Sequence, residues 1–222
     1  MTLHRLTSKA LACAAVALPV ALVAPAHAAE LYVPMGVPGI GLGLALPMGP
    51  MFGVRADFMT LGKREKAFDE DGIQYNGKVK LNRGALLMDV FPFSGSFRLT
   101  VGATSNTYDI ALDASGAGGT LEIGNTVYTT TAADGLNVGI TFPKTTPYVG
   151  IGWGHQEASG FRFSFDVGAA IGKATLTATA RGALANKPGI QADIDKELAE
   201  LRDGVGKVRA IPQISISLGY SF

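Results

Sequence analysis

The chain ends in Ile214-Ser-Ile-Ser-Leu-Gly-Tyr-Ser-Phe222, in which Ile214, Ile216, Leu218, Tyr220 and Phe222 alternate with Ser215, Ser217, Gly219 and Ser221. A period of two belongs to an extended strand, whose successive side chains leave on opposite faces. One face of this strand is wholly apolar, and the other is small and polar. The same alternation recurs upstream in Ile40 to Met48, Phe52 to Phe58, Phe97 to Ala103, Leu136 to Phe142, Val149 to Trp153 and Phe161 to Ile171. A further segment, Lys78 to Phe91, is strand-like with a phase change. Val79 and Leu81 share one phase and Leu86, Met88 and Val90 the other, so a β-bulge is expected at Asn82-Arg83-Gly84. The fold class is therefore all-β.

Two kinds of all-β protein fit such a pattern, a soluble sandwich and a membrane barrel, and three features favour the barrel. The apolar faces are aliphatic in the middle and aromatic toward their ends, at Phe91, Phe97, Phe142, Trp153, Phe161, Tyr220 and Phe222, as in the girdles of outer-membrane barrels. The opposite faces are rich in Gly, Ser and Thr. The 29 glycines in 222 residues are about twice the usual ~7%, and small residues suit the interior of a narrow barrel. The strands are long enough for a tilted bilayer crossing. The expectation is a closed antiparallel transmembrane barrel. Eight strands are counted, or ten if Leu31 to Val37 and Ala174 to Ala180 are strands of their own. Eight would put the short turns near Gly49, Phe93 and Thr145 on the side where long loops are usual.

The start of the chain reads as an export signal. Arg5 and Lys9 precede an apolar run from Ala10 to Val23, and Ala26-His-Ala28 is a small-x-small cleavage site. The run is too short for a spanning helix, which needs roughly 20 residues. Residues 1–28 are expected to be a cleaved signal peptide and 29–222 the barrel domain. The only cysteine, Cys13, leaves with the signal. Of 19 Lys and Arg, the 17 that stay face 18 Asp and Glu, which gives no electrostatic case for nucleic acid.

Between strands, Lys63 to Gly77 is dense in charge. Leu121 to Ile123 and Val127 to Thr129 read as a small hairpin about Gly124-Asn125, and Pro143-Lys-Thr-Thr-Pro147 reads as a short turn. In Gly189 to Lys207, Ile190, Ile194, Leu198, Leu201 and Val205 recur every three or four residues, the mark of an amphipathic helix. Its mixed charges suit packing at the barrel mouth better than lying on a membrane.

The segments Phe91-Pro-Phe, Phe97-Arg-Leu-Thr100, Pro147-Tyr-Val-Gly-Ile-Gly-Trp-Gly-His155 and Phe165-Asp-Val-Gly168, with the closing strand, resemble a widespread proteobacterial family of small outer-membrane β-barrels of the porin-like, OmpA type. The last strand, Ile214, Ile216, Leu218, Tyr220 and Phe222, also resembles the signal read by the outer-membrane assembly machinery. The resemblance implies an outer-membrane location with lipid and lipopolysaccharide as neighbours, and it implies no particular activity or cofactor.

Candidate site residues follow from the polar phase. Arg55, Asp57, Asp89, Arg98, Arg162 and Asp166 are expected to face the lumen, where charges must be paired. They form either a plug or a charged constriction in a narrow pore. His155 is the one histidine beyond the signal and lies beside Gln156, Glu157 and Ser159. A hydrolase at the rim would need it to meet a serine and an acid. A lone histidine makes a weak metal site, and Asp69-Glu-Asp71 lacks the spacing of a calcium loop. Lys63, Arg64 and Lys66 could meet lipopolysaccharide phosphates. The readings carried forward are a structural or passive barrel with a narrow porin-like pore as one version, a lipid-modifying enzyme at the rim, and a soluble periplasmic ligand-binding barrel.

Overall fold

The structure is a computed structural model that describes residues 29–70, 73–116, 118–156, 159–204 and 209–222. The expected signal peptide, with Cys13, lies outside the described residues, as do Asp71, Glu157 and Val205.

Ten of the twelve strands form one antiparallel sheet. The chain runs through β1 (Glu30–Gly36), β2 (Ile40–Pro47), β3 (Phe52–Glu70), β4 (Ile73–Val90) and β5 (Phe97–Ser115) as a meander. After the small hairpin β6 (Thr120–Ile123) and β7 (Thr126–Thr129) come β8 (Gly135–Thr141), β9 (Thr145–Trp153), β10 (Gly160–Ile171) and β11 (Thr175–Arg181). A 3₁₀ turn (Gly182–Asn186), α1 (Ile190–Gly204) and β12 (Ala210–Ser221) complete the chain.

The pairings close a ring of eight strands, β1-β2-β3-β4-β5-β9-β10-β12, in which β12 pairs with β1 along Glu30↔Ser221 to Gly36↔Ser215. Eight is the expected number, but the membership differs. Leu31 to Val37 supplies the first stave. Leu136 to Phe142 is not a stave, because β8 and β9 lie end to end along the same partner: β5 pairs with β9 through Phe97–Ser105 and with β8 through Asp109–Ser115. The expected turn at Pro143 to Pro147 is thus a break without reversal. Phe142 N donates to Tyr108 O at 3.2 Å and Asn106 N to Lys144 O at 2.6 Å, so the ladder continues across it. In the same way β11 continues beyond β10 and pairs with β8. With this membership the short connections at 48–51 and 91–96 and the one that follows β9 lie at the end where Ala29 and Phe222 meet, while the β1–β2 turn at 37–39 and the long excursions from β5 to β9 and from β10 to β12 lie at the far end.

Around the ring the apolar residues point outward. Leu42, Leu86, Val101, Ile151, Phe163 and Leu218 are all exposed, as are Ile214, Ile216, Tyr220 and Phe222, while Ser217, Gly219 and Ser221 are buried inside. The aromatic belt is one-sided. Phe97, Trp153, Phe161, Tyr220 and Phe222 ring the terminal end, but Phe91 and Phe142, expected in the girdles, face inward at 1% and 8% exposure.

Beyond the ring, β3, β4, β5, β8 and β11 rise as a curved wall, and there the faces exchange roles. On β4 the same inward phase carries Asp89, Leu87 and Arg83 in the ring but Leu81, Val79, Tyr75 and Ile73 in the wall. The outward phase passes from Val90, Met88 and Leu86 to Asn82, Lys80 and Lys78. The β4–β5 ladder runs unbroken through this point, so the expected bulge at Asn82-Arg83-Gly84 is absent. What changes is the surroundings, not the register. The bulge that does occur lies on the neighbouring strand at Leu61, between the pairs Thr60↔Asn82 and Gly62↔Leu81. Leu136, Val138 and Ile140, expected to face outward, belong to this inward apolar face.

The wall needs a cover for that face. Leu121, Ile123 and Tyr128 of the hairpin, Leu184 of the 3₁₀ turn, and Ile190, Ile194 and Leu198 of α1 pack against Leu136 and Leu176. The helix and hairpin therefore sit where the periodicity placed them. Two bonds tie them together: Tyr128 Oη donates to Asp193 Oδ2, and Gly124 N to Glu197 Oε2 at 3.1 Å.

Candidate functional site

The interior of the ring is built from large polar side chains laid over glycines. Tyr32 of β1 faces Gly43 on β2 and Gly219 on β12. A Cβ at Gly43 would stand 2.2 Å from Tyr32 Cζ, and one at Gly168 2.2 Å from Tyr148 Oη. One at Gly152 would come within 2.8 Å of Arg98 Cζ. Such spacings leave no room for any side chain, so the glycine-rich strands are the counterpart of the bulky residues opposite.

Two charged layers fill the lumen. In the first, Arg55 is bidentate to Asp89, with Nη2 donating to Oδ1 at 3.1 Å, and its Nη2 also reaches Asp166 Oδ1 at 3.1 Å. Arg98 is fully buried and donates from Nη2 to Asp166 Oδ1 at 2.6 Å and from Nη1 to Gly154 O at 2.7 Å. Thr100 Oγ1 completes the layer by donating to Asp89 Oδ1 at 2.6 Å. In the second, Arg83 donates to Asp57 and to Gln213, Tyr32 Oη donates to Asp57 Oδ2 at 3.1 Å, and Gln213 Nε2 donates to Tyr108 Oη at 3.2 Å. Three arginines thus meet three aspartates, and burial without partners would be prohibitive for each. The space left between the layers is about 10 Å³, close to the least that one water molecule occupies.

Of the residues expected in the lumen, Arg55, Asp57, Asp89, Arg98 and Asp166 fall in these layers. Arg162 shares their inward phase but stands apart, and its Nε and Nη2 have no partner among the described residues. Arg83, Gln213, Thr100, Tyr32 and Tyr148 were missed. From the sequence, Arg83 is placed in an expected bulge, and the other four are uncharged. Their signal lies in the glycines, since Tyr32 and Tyr148 each face one across a ladder.

At the terminal end His155 does meet a serine and an acid. Its Nε2 is 2.9 Å from Ser164 Oγ, and its Nδ1 is 3.0 Å from Glu30 Oε2. The partners are not its sequence neighbours. Ser164 comes from β10 and Glu30 from the first residue of β1. The His155 backbone is left-handed, with φ 61°, a conformation costing a non-glycine residue about 1–2 kcal/mol. The order serine, histidine, acid is that of acyl transfer. All three side chains, however, are 1–2% exposed, under the ring of Tyr32, which lies 4.4 Å from the imidazole. The Nδ1–Oε2 approach lacks hydrogen-bond geometry, so the bonded link is between His155 and Ser164 alone, next to the bond from Phe222 N to Ala29 O at 3.0 Å.

The charged stretch from Lys63, expected to lie between strands, instead belongs to β3 and β4, whose ladder extends past the ring, and there Lys63 pairs with Glu65 at 2.6 Å. Arg64 and Lys66 are exposed, and Asp69 stands near the tip of β3. Above the ring, Asp134 accepts from Thr131 N and Oγ1, both at 2.9 Å, and from Leu184 N at 3.0 Å. These donors hold its carboxyl down to about 2.

The sequence matches no family model and no curated protein. In structure the chain is similar to CarO2 of Acinetobacter baumannii, with 16% identity, 88% of this chain and 99% of that one covered, and a TM-score of 0.58. It is also similar to CarO of the same organism, with 18% identity, coverage of 88% and 97%, and a TM-score of 0.54. At such identities the likeness is one of fold, and it extends over nearly the whole of both relatives.

Proposed function

We propose that this chain is an outer-membrane β-barrel protein whose filled ring anchors a β-rich head on the cell surface. The observation that carries the reading is the exchange of faces along single strands. Leu86, Met88 and Val90 turn apolar side chains outward, and a few residues further along the same phase Asn82, Lys80 and Lys78 turn polar ones outward. Apolar groups facing out all round a ring need an apolar solvent. The wall above has its apolar side in and its polar side out, as a water-soluble layer does. In this reading the termini lie in the periplasm and the wall outside, supported by the chain termini at one end and the long excursions from β5 to β9 and from β10 to β12 at the other. Lys63, Lys78 and Lys80 then sit at the level of lipopolysaccharide phosphates, and the strand ending at Phe222 presents its outward aromatic residues to lipid and to the assembly machinery.

The membrane face is tested with cysteines, since Cys13 is the chain's only one. A cysteine at Lys78 reacts with an impermeant maleimide on intact cells, and one at Phe93 reacts only after lysis. Recovery of the protein in the soluble periplasm would overturn the reading. Filled layers predict no steady single-channel current in planar bilayers. A porin-like version, with the arginine layers opening into a narrow charged constriction, would instead give steady channels that pass small solutes.

A further inference from the structure

Packing in this molecule changes abruptly at the level of Tyr108. Below it, side chains leave about 10 Å³ among the charged layers. Above it, the inner face of the wall borders two spaces. One, of about 300 Å³, lies between Val37-Pro38, Leu81, Tyr108, Phe142 and Ile211. The other, of about 430 Å³, lies beneath α1 and is lined by Val79, Leu112, Leu121, Val138 and Leu201. Ile110 and Ile140 line both. Ile110 faces inward, paired with Val79 and Ile140, and yet is 42% exposed. These sizes are those of small-molecule sites.

One glycine of the wall contrasts with three of the ring. In the ring a Cβ on Gly43, Gly152 or Gly168 would strike a side chain. At Gly77, which lines the upper space, a Cβ would meet only Lys66 O at 3.6 Å and Leu112 Cδ1 at 4.0 Å, both ordinary contacts. Gly77 therefore leaves space that no neighbouring side chain fills.

We propose that this two-lobed space binds the alkyl chain of a single-chain amphiphile. The lower lobe is lined almost wholly by carbon. Its polar atoms are few, and Tyr108 Oη already accepts from Gln213, so its occupant needs no hydrogen-bonding groups there. The space is elongated, with its lobes in line on either side of Ile110 and Ile140, which suits a chain better than a ring system. The acidic side chains that border it, Glu122 and Glu197, are both in the upper lobe, so the head group emerges there. The lower lobe opens beside Val37, which is exposed and continues the outward stripe of Leu31 and Met35. An alkyl chain can therefore enter from the bilayer as well as from water, because the ring wall is low at the β1–β2 turn and high at β3 to β5.

The test uses the whole protein in phosphatidylcholine nanodiscs, titrated with 11-(dansylamino)undecanoic acid. Wild type gives one saturable, blue-shifted site per chain above the linear partition into protein-free discs. Gly77→Leu and Ile140→Trp, which fill the space from two strands of the wall, β4 and β8, weaken it at least tenfold. Thr179→Leu, on the outward face of β11, leaves it unchanged. The electrophoretic shift between unheated and boiled samples confirms that each variant is folded. Native mass spectrometry separates the sources. Phospholipid retained by wild type and lost in Gly77→Leu identifies the bilayer as donor, whereas saturable probe binding with no retained phospholipid identifies a free amphiphile. Wild type with neither, or binding undiminished in both filled variants, overturns the proposal. Protein that stays out of the discs speaks against the membrane reading above, and the same titration in buffer then decides this one.

Discussion

Asp166 is the residue on which the first charged layer turns, because its carboxylate is shared by guanidinium groups from two other strands, Arg55 and Arg98. Removing it leaves both cations buried against one remaining aspartate, Asp89. Loss of one partner from a buried ion pair typically costs about 3–5 kcal/mol. Asp166→Ala is therefore expected to lower the unfolding free energy of the reconstituted protein, measured in urea, by that much, with Asp166→Asn, which keeps the shape and an acceptor, losing less. A second residue-scale prediction concerns pH. The carboxyl of Asp134 is held at about 2 by three donors, below the ~3.9 of an unfolded aspartate. A depressed folded value stabilises above the unfolded one. The contribution is complete above about pH 4 and is lost as pH falls toward 2. Hydrogen exchange of Thr131 and Leu184, whose amides donate to that carboxylate, should accelerate through this window in wild type and be fast throughout in Asp134→Ala.

At the scale of elements, α1 is held by its apolar stripe and by few polar bonds. Leu198 is buried against the wall, and burying an aspartate there unpaired is prohibitive. Leu198→Asp is expected to free α1 and the β6–β7 hairpin, seen as faster exchange in both, while β9, β10 and β12 keep their protection. The helix, the hairpin and the staves were legible in the sequence because each has a clean period. Ile190, Ile194 and Leu198 mark one face of a helix, and Ile214 to Phe222 one face of a strand. The head was not legible as a head. Periodicity reports which residues share a face and says nothing of what that face meets, so Leu136, Val138 and Ile140 looked like a lipid-facing strand although they line a helix-covered core. The change of phase in β4 was seen and given a covalent-geometry cause, a bulge, where the cause is a change of solvent. Of the candidate site, the charges on the polar phase were readable. Glu30 and Ser164 were not readable as partners of His155, because only the ring pairing of β1, β12 and β10 brings them near it.

On the scale of the whole molecule, the ring and head share their longest strands, so the head cannot rock independently of the barrel. β5 in particular is paired with β9 below and β8 above without interruption of its own backbone. For a ring that spans a membrane as proposed, the position of the molecule along the membrane normal is then a property of the entire body. It is set by the exchange of faces at one level and by the aromatic ring of Phe97, Trp153, Phe161 and Tyr220 at the other. Replacing Lys78 and Lys80 by leucine should draw the head side into the bilayer and so move Trp153, the sole tryptophan, out toward the headgroups at the opposite end. Quenching of its fluorescence by chain-brominated lipid is expected to fall. A hull behaves in the same way. Its draught is painted on it at two marks, the protein cannot list to satisfy one without submerging the other, and so in a membrane of the wrong thickness it is the lipid around it that must bend.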